Sequence, residues 1–456
     1  MSRVHFIGVG GSGMSAVARL TAAAGHEVSG SDQRASHYFE ALRDAGMNVT
    51  IGHDAANVEG VDQVVISTAV RETNPELARA RELGVEIVHR SEALARAIDD
   101  QRLVAVAGSH GKTTTSAMVA HVLHGSGIDA SFAVGARVFG IEGAVAGGYA
   151  GASGIAVVEA DESDGSFLRY HPEVAILLNV EPDHLDYYGT VEKLHEAFTA
   201  FASDCRVLVV CAEDDTAMEI AGRAQREGVE VVTYGRGDAD VVVTETGVSR
   251  DGVDYPVEVP VPGEHMRLNA AAAWAAATAM GADAGDAASA VATFGGTGRR
   301  YQWRGEAAGV TVIDDYAHHP TEVAALLAAA RASGAGRLVV LFQPALFSRT
   351  QLHAANFARA LSADNARVVI AGVHGDREDP IPGVTSQSIL DAMAVPAGSA
   401  AEVVEALEDA AARVAQIAQP GDVVLTVGSG PVTYAADWIL DALRERDGGG
   451  EGQPVE

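Results

Sequence analysis

Short apolar runs recur along the chain and end at glycine or at polar residues. The run at residues 4–9 is followed by a segment of helical composition at 15–24, and this alternation continues almost to the carboxyl terminus. Apolar runs without alternating polar residues are typical of strands that are covered on both faces. The pattern therefore predicts an α/β fold with doubly wound, mostly parallel sheets.

The runs fall into three groups, which predict three domains and a tail. The predicted domains are 1–100, 101–299 and 300–445, and the glycine-rich tail at 446–456 is predicted to be disordered. The predicted strands are residues 4–9, 26–30 and 61–68 in the first domain, 103–107, 155–159, 174–179, 207–211 and 229–234 in the second, and 311–313, 337–342, 367–371 and 422–427 in the third.

Composition narrows the possible partners. The 456 residues carry 62 acidic and 32 basic side chains, for a formal net charge of −30. Nucleic acids and anionic membranes bind cationic faces, so this excess argues against both as main partners. Hydrophobic residues make up 48% of the chain, which excludes disorder as its main state.

Location and redox state follow from what the sequence lacks. We find no signal peptide and no apolar stretch long enough to span a membrane, and the two cysteines, Cys205 and Cys211, cannot build a disulfide framework. The sequence therefore predicts a cytoplasmic protein with reduced thiols. It contains only two lysines, Lys112 and Lys193, and its other basic side chains are arginines. A lysine in such a chain suggests a position where the chemistry requires an ammonium group.

A glycine pattern follows the first predicted strand. Gly8, Gly10 and Gly13 have the spacing that lets a backbone approach a pyrophosphate at a helix N-terminus. Asp32 ends the next strand, where an acidic residue usually contacts a ribose. The pattern favours a nucleotide diphosphate, NAD included, although glycines that only form a tight turn have the same spacing.

The segment GSHGKTTT, residues 108–115, lies between a predicted strand and a predicted helix at 114–124. The backbone N–H groups of such a loop cradle phosphates, while Lys112 neutralises their charge and a threonine hydroxyl holds Mg²⁺. Gly108 and Gly111 are closer together than in the usual phosphate loop, and a chance turn is the alternative. A separate triphosphate site argues against a dehydrogenase.

Polar clusters follow three further predicted strands. Glu159 opens the acidic run EADESD, which suits Mg²⁺ but is also compatible with a solvated loop, and His184 is either a ligand or a structural histidine. The run DDYAHHP at 314–320 suggests a substrate site. The two arginines at 299–300 are suited to stabilising a transferring phosphoryl group, and Arg349 is suited to binding a carboxylate substrate.

Taken in order, GVGGSGMS, GSHGKTTT, EADESD, NVEPDHLDYY, GRRY and DDYAHHPTE resemble the motifs of the Mur ligase family over essentially the whole chain. The resemblance implies an N-terminal Rossmann-like domain for a UDP-sugar, a central P-loop ATPase domain and a C-terminal Rossmann-like domain. Within the family, the motifs are most similar to the branch that adds alanine.

The resemblance also implies an activity: ATP-dependent ligation in peptidoglycan precursor synthesis, a process tied to cell-wall biogenesis, cell shape and division. The carboxylate of UDP-N-acetylmuramate would attack the γ-phosphate of ATP, and the amino group of L-alanine would then displace phosphate from the acyl phosphate. Mg²⁺ would accompany ATP. These three substrates are the expected partners, and a monomer or homodimer is the expected assembly.

Carried over position by position, the resemblance assigns residues to each ligand. Lys112, His184, His318 and Arg349 are expected to be catalytic. The other assignments are Gly108, Ser109, His110, Gly111, Lys112, Thr113, Thr114, Asn269, Arg300 and Asp314 for ATP, Gly10, Gly11, Ser12, Gly13, Met14, Asp32, Ser67 and Thr68 for the UDP-sugar, Tyr316, His318 and Arg349 for the amino acid, and Thr113, Glu159 and His184 for the metal.

Three stretches depart from the family pattern. Met266 stands where an asparagine is common, and Ala345 and Leu346 replace a histidine and an arginine, so Arg349 would carry more of the substrate carboxylate. Phe198 and Thr199 occupy the positions at which ligases for later amino acids carry a modified lysine. That replacement fits the alanine-adding branch.

Three other functions remain open. The closest is a recycling ligase that joins a tripeptide to the same UDP-sugar, although Gly10 and Gly13 stand where its loop usually carries cysteine and phenylalanine. The second is a nicotinamide-dependent oxidoreductase. The third is a non-catalytic nucleotide-binding regulator whose site has degenerated.

Overall fold

The computed structural model describes residues 1–145, 147–362, 366–376, 378–394 and 400–448. The chain divides into two compact units. The first contains Met1–Pro260 and Met266–Gly298, and the second contains Val261–His265 and the chain from Arg299 onward. None of the helices in the described ranges is both long and apolar enough to cross a bilayer.

The first hundred residues fold around one parallel sheet. Its elements are β1 (Arg3–Ile7), α1 (Ser12–Ala23), β2 (Glu27–Asp32), α2 (His37–Asp44), β3 (Asn48–Ile51), a 3₁₀ turn (Ala55–Val58), β4 (Gln63–Ile66), α3 (Pro75–Leu83), β5 (Glu86–His89) and α4 (Arg90–Ala97). The strand order is β3-β2-β1-β4-β5. Ile7 pairs with Ser31 and Phe6 with Val65, so the carboxyl ends of β1, β2 and β4 lie at one edge of the sheet.

Helix α3 illustrates how local sequence sets these boundaries. The Asn74 side chain accepts hydrogen bonds from the N–H groups of Glu76 and Leu77, and Pro75 occupies the first helical position. Gly84 ends the helix in the left-handed conformation at φ 69°. These are the stop and start signals that the sequence itself carries.

The rest of the first unit contains a ten-stranded sheet. Its elements are β6 (Arg102–Ala107), α5 (Lys112–Gly125), β7 (Ser131–Ala133), β8 (Gly148–Tyr149), β9 (Ile155–Glu159), a 3₁₀ turn (Ser166–Arg169), β10 (Val174–Leu177), α6 (Leu185–Tyr188), α7 (Val191–Ser203), β11 (Val207–Cys211), α8 (Asp215–Arg226), β12 (Glu230–Gly235), β13 (Val241–Val243), β14 (Gly247–Arg250), β15 (Val253–Pro256), α9 (Glu264–Ala279) and α10 (Ala284–Val291).

The strand order of this sheet decides which loops are neighbours. The order is β15-β14-β13-β12-β11-β10-β6-β9-β7-β8, with β6 between β10 and β9. In the parallel register, Val106 pairs with Glu159, and Leu177 pairs with Ala107. The loops after β6, β9 and β10 therefore leave the sheet at the same edge, where ligands bind in open α/β sheets.

The second unit is built on a six-stranded sheet. Its elements are β16 (Gln302–Ala307), β17 (Val310–Asp315), α11 (Pro320–Ala332), β18 (Leu338–Phe342), α12 (Phe347–Ser362), β19 (Arg367–Ala371), α13 (Gln387–Ala392), β20 (Ala400–Val404), α14 (Leu407–Ile417), β21 (Val423–Val427) and α15 (Val432–Gly448). The order is β16-β17-β21-β18-β19-β20, and all pairs are parallel except β16–β17.

Helix α15 corrects part of the predicted tail. The helix continues through Gly448, so residues 446–448 are ordered. The Arg446 guanidinium donates hydrogen bonds to the carbonyl oxygens of Ala415 and Ala418, at the end of α14. These hydrogen bonds hold the carboxyl end of α15 against the end of α14. Residues 449–456 lie outside the described residues.

Candidate functional site

The loop after β6 has the form of a phosphate-binding loop. Gly108 and Gly111 have φ values of 137° and 86°, which side-chain-bearing residues rarely adopt. Gly111 precedes α5, whose first turn has neither a capping side chain nor an acidic residue. The free N–H groups and the positive end of this 14-residue helix form a ready anion site.

Lys112 lies inside this loop and is bound by the protein. Its Nζ donates to Gly108 O at 2.6 Å and lies 2.8 Å from Glu162 Oε2, with the side chain only 13% exposed. Burial lowers the pKa of Lys112, but Glu162, Asp161 and Glu159 more than offset it and raise the pKa above its usual value. The lysine therefore stays charged, and a bound phosphate would compete with Glu162 for it.

Thr113 and Glu159 bring two hard oxygen ligands together. Thr113 Oγ1 donates to Glu159 Oε1 at 2.7 Å, and Gly135 N donates to Glu159 Oε2 at 2.7 Å. A hydroxyl and a carboxylate at the edge of a phosphate loop suit Mg²⁺, which prefers oxygen ligands and binds together with substrate phosphates. The donor set fits the predicted metal, and Asp161 and Glu162 add negative charge nearby.

We expect Thr113→Val to lower the catalytic rate by about 100-fold and to raise the Mg²⁺ concentration needed for half-maximal activity. Valine keeps the shape of the side chain but removes the oxygen. The matched control is Thr115→Val in the same helix, because the buried Thr115 hydroxyl has no hydrogen-bond partner among the described residues. Equal Mg²⁺ dependence in the two variants would contradict a metal role for Thr113.

The segment after β10 braces the phosphate loop. Asn179 Oδ1 accepts from His110 N at 2.8 Å, and its Nδ2 donates to His110 O at 3.1 Å. Ser109 Oγ accepts from Glu181 N at 2.8 Å. Asn179 belongs to the motif NVEPDHLDYY, from which no role was predicted for it. Its position directly after a buried strand was the available signal.

Two other predicted residues lie close to this site, one beside the loop itself and one beside Glu162, the partner of Lys112. Asn269, on α9, has its Oδ1 3.2 Å from the point that a Cβ on Gly111 would occupy. His184 adopts a left-handed φ of 53°, and its Nε2 lies 3.8 Å from Glu162 Oε1 and 3.6 Å from Asp183 Oδ2. The structure thus gathers Asn269 and His184 around Lys112, while the metal role of His184 remains a prediction.

The glycine loop of the first sheet is organised around Asp32. Gly8 has a φ of 80°, and Gly10 N donates to Asp32 Oδ2 at 2.9 Å. Ser67 and Thr68 follow β4, which pairs with β1, and so lie at the same sheet edge. Gly11 precedes α1 without a capping side chain, as in the phosphate loop.

Met14 differs from the other residues assigned to the UDP-sugar. Its side chain is 3% exposed and packs in the hydrophobic core of the first unit. The predicted contact can therefore come only from its backbone. Its neighbours Gly11, Ser12 and Gly13 remain at the surface of the loop or partly exposed.

In the second unit, His318 and Tyr316 lie in the loop between β17 and α11. His318 Nδ1 is 3.0 Å from Tyr316 O, which fixes the proton on Nδ1 and leaves Nε2 as an acceptor. Burial lowers the pKa of His318 to about 4, assisted by Arg349 and Arg300 and opposed by Glu322. The imidazole is therefore neutral at physiological pH.

The two predicted phosphate contacts of this unit have different environments. The Arg300 guanidinium lies 5.2 Å from the centre of the Tyr316 ring, and its Nη1 is 3.6 Å from Glu322 Oε1. Asp314 is fully buried and accepts hydrogen bonds from Thr426 and Thr433, each at 2.7 Å. Its carboxylate is enclosed by protein, so any effect on a nucleotide would pass through neighbouring groups.

Apart from Thr199, whose hydroxyl donates to His195 O, the positions that depart from the family pattern carry apolar side chains. Met266 is 4% exposed, and Ala345 is 5% exposed and forms a backbone bridge with His374. Leu346 has a left-handed φ of 69°. Phe198 is fully buried in α7. None of these four side chains offers a polar contact, and Arg349, in the first turn of α12, is the basic residue that follows Ala345 and Leu346.

Three family models match consecutive parts of the chain. The Mur ligase family catalytic domain matches residues 3–102, the Mur ligase middle domain matches 106–277, and the Mur ligase glutamate ligase domain matches 299–430. The chain belongs to the Mur ligase family. The three-domain α/β fold predicted from the sequence is thereby confirmed.

Individual Mur ligases are similar to this chain over nearly their whole length. A UDP-N-acetylmuramate–L-alanine ligase of Renibacterium salmoninarum is 48% identical over 97% of this chain and 96% of its own. The structure of a UDP-N-acetylmuramate-alanine ligase from Thermotoga maritima has a TM-score of 0.82 at 29% identity, covering 98% of this chain and 100% of that one. A murein peptide ligase from Psychrobacter arcticus has a TM-score of 0.73 at 25% identity, covering 97% and 99%.

Proposed function

We propose that this Mur ligase joins L-alanine to the carboxylate of UDP-N-acetylmuramate and converts ATP to ADP and phosphate through an acyl phosphate. The observation that carries the proposal is the pair of uncapped glycine loops in one compact unit. One of them contains Lys112 beside the Thr113–Glu159 pair, and the other is organised by Asp32. A dehydrogenase needs only one dinucleotide site, so a dehydrogenase activity would not account for the phosphate loop that contains Lys112.

In the first step, the loop groups act on the phosphates of ATP. The N–H groups at the start of α5 bind phosphate oxygens. Lys112 moves from Glu162 toward the γ-phosphate and stabilises the negative charge that builds up there when the substrate carboxylate attacks. Mg²⁺, when bound at Thr113 and Glu159, supplies further positive charge that offsets the repulsion between the two anions. ADP leaves, and the substrate carboxylate becomes an acyl phosphate.

In the second step, the neutral amino group of L-alanine attacks the acyl carbonyl, the carbon–oxygen bond to phosphate breaks, and the departing phosphate takes up the proton that the amine loses. In this proposal the guanidinium fork of Arg349 binds the amino-acid carboxylate. The Nε2 atom of His318 accepts a hydrogen bond from the amino group, because its Nδ1 proton is held by Tyr316 O. Neutral His318 therefore orients the nucleophile without adding a positive charge beside it.

The domain division belongs to the same proposal. We assign the UDP-sugar to residues 1–100, ATP to 101–299 and L-alanine to 300–445. The first segment and most of the second belong to one compact unit. We further propose that the enzyme acts in the cytoplasm, where UDP-linked precursors and ATP are available.

A purified-enzyme assay tests the proposal. ADP release is measured with UDP-N-acetylmuramate and, separately, L-alanine, glycine, L-serine or a tripeptide. We expect the highest kcat/KM with L-alanine, and no ADP release without the UDP-sugar. A response to the tripeptide without one to L-alanine would favour the recycling ligase. Tight NADH binding without ATP turnover would favour an oxidoreductase.

A further inference from the structure

Arg90, the first residue of α4, lies against the glycine loop of the first sheet. A Cβ at Gly13 would be 2.7 Å from Arg90 Nη1, well inside van der Waals contact. Gly13 does not adopt a positive φ, unlike Gly8 in the same loop. The backbone conformation therefore does not call for glycine at position 13, but a larger side chain there would displace the Arg90 guanidinium from its place beside the loop.

This placement puts two positive groups side by side. Helix α1 begins at Ser12 with no capping side chain and no acidic residue in its first turn, so its free N–H groups carry the positive end of the helix dipole. A guanidinium beside such a terminus is electrostatically unfavourable. An anion bound between them would interact favourably with both.

Within the described residues, Asp161 is the acidic partner of Arg90. Arg90 Nη2 donates to Asp161 Oδ2 at 3.2 Å, and the arginine side chain remains 29% exposed. A guanidinium has five N–H donors, so most of them remain available to a ligand.

We infer that Arg90 binds the diphosphate of the UDP-sugar and that Asp161 is the positioning residue that holds its guanidinium over α1. The inference rests on the proposed function, because the diphosphate is that of UDP-N-acetylmuramate. The planar guanidinium bonds a carboxylate on one edge and phosphate oxygens on another. A lysine ammonium is a point charge and serves two anions in different directions less well.

Calorimetric titration of the full-length protein tests this, with UDP, UDP-N-acetylmuramate and ATP as separate probes. We expect Arg90→Met to weaken both uridine ligands by about 10–100-fold and to leave ATP binding unchanged. The affinity of Arg90→Lys for the two uridine ligands should lie between that of Arg90→Met and that of the wild type. The matched control is Arg96→Met on the same helix, whose guanidinium pairs with Glu86 and Glu92. It should bind all three probes like the wild type.

The role of Asp161 is tested by a double-variant cycle on UDP affinity measured without ATP. Asp161→Asn should weaken UDP binding in the wild-type background and have no further effect in Arg90→Met. Independent, additive effects would overturn the positioning role, and wild-type UDP affinity in Arg90→Met would overturn the inference. Equal losses for UDP and ATP would also overturn it, since they indicate general structural damage. A wild type that binds neither uridine ligand would instead refute the proposed function.

Discussion

Replacing Lys112 by alanine should reduce ADP formation by about 1,000-fold while the protein still binds UDP-N-acetylmuramate. Lys112 is the basic side chain within the phosphate loop, and surrounding carboxylates keep it charged. The glycine loop and Asp32, which are expected to bind the UDP-sugar, belong to a different sheet. ADP release and calorimetric binding of the UDP-sugar measure the two effects separately.

Lys112→Ala could lower ADP formation either by removing a catalytic group or by destabilising the fold, and further variants distinguish the two causes. Removing Lys112 leaves the buried Glu162 carboxylate without its 2.8 Å partner, and such an unpaired charge typically costs about 3–5 kcal/mol. The double variant Lys112→Met with Glu162→Gln removes both charges and should recover thermal stability but not activity. Lys193→Ala, the chain's other lysine, is exposed and serves as the control. ADP release near the wild-type rate in Lys112→Ala would contradict a catalytic role for Lys112, whereas a wild type that binds its nucleotides without releasing ADP would support a non-catalytic nucleotide-binding regulator.

The places where ligands are expected could be predicted because they follow from strand order. Once Val106, Leu177 and Glu159 are recognised as ends of parallel buried strands, their following loops must leave the sheet on one side. The sequence predicted strand Ile155–Glu159 with its exact bounds, and Val207–Cys211 and Arg367–Ala371 likewise. Continuous apolar runs carry that information locally.

What could not be predicted depends on contacts between distant segments. Arg90 meets Gly13 and Asp161 only after two sheets have packed within one unit, and no local pattern signals that. The strands β13–β15 were also missed, because they are short and β15 is mostly exposed. Helices α1 and α5 begin earlier than predicted, since a glycine N-cap offers no side-chain signal.

Replacing His318 by alanine should lower kcat/KM for L-alanine by about 100–1,000-fold and leave the KM values for ATP and UDP-N-acetylmuramate unchanged. The physical reason is the loss of the Nε2 acceptor that orients the amino group. Acyl phosphate formation should persist, because it precedes attack by the amine. Trapping the intermediate with hydroxylamine measures that step alone, and His171→Ala, at an exposed position, is the control.

The pH dependence provides a sharper test, because the direction is fixed by the environment of the ring. A histidine with its usual pKa near 6.5 would protonate as the pH falls toward 6, and the rate would fall with it. Burial and the nearby arginines lower the pKa of His318 to about 4, so its protonation should not limit kcat/KM for L-alanine between pH 5.5 and 7. Exchanging Glu322 for glutamine removes the opposing charge and should lower this pKa further. An acidic limb near pH 6.5 that disappears in His318→Ala would show that the ring titrates normally, and would contradict the neutral acceptor role.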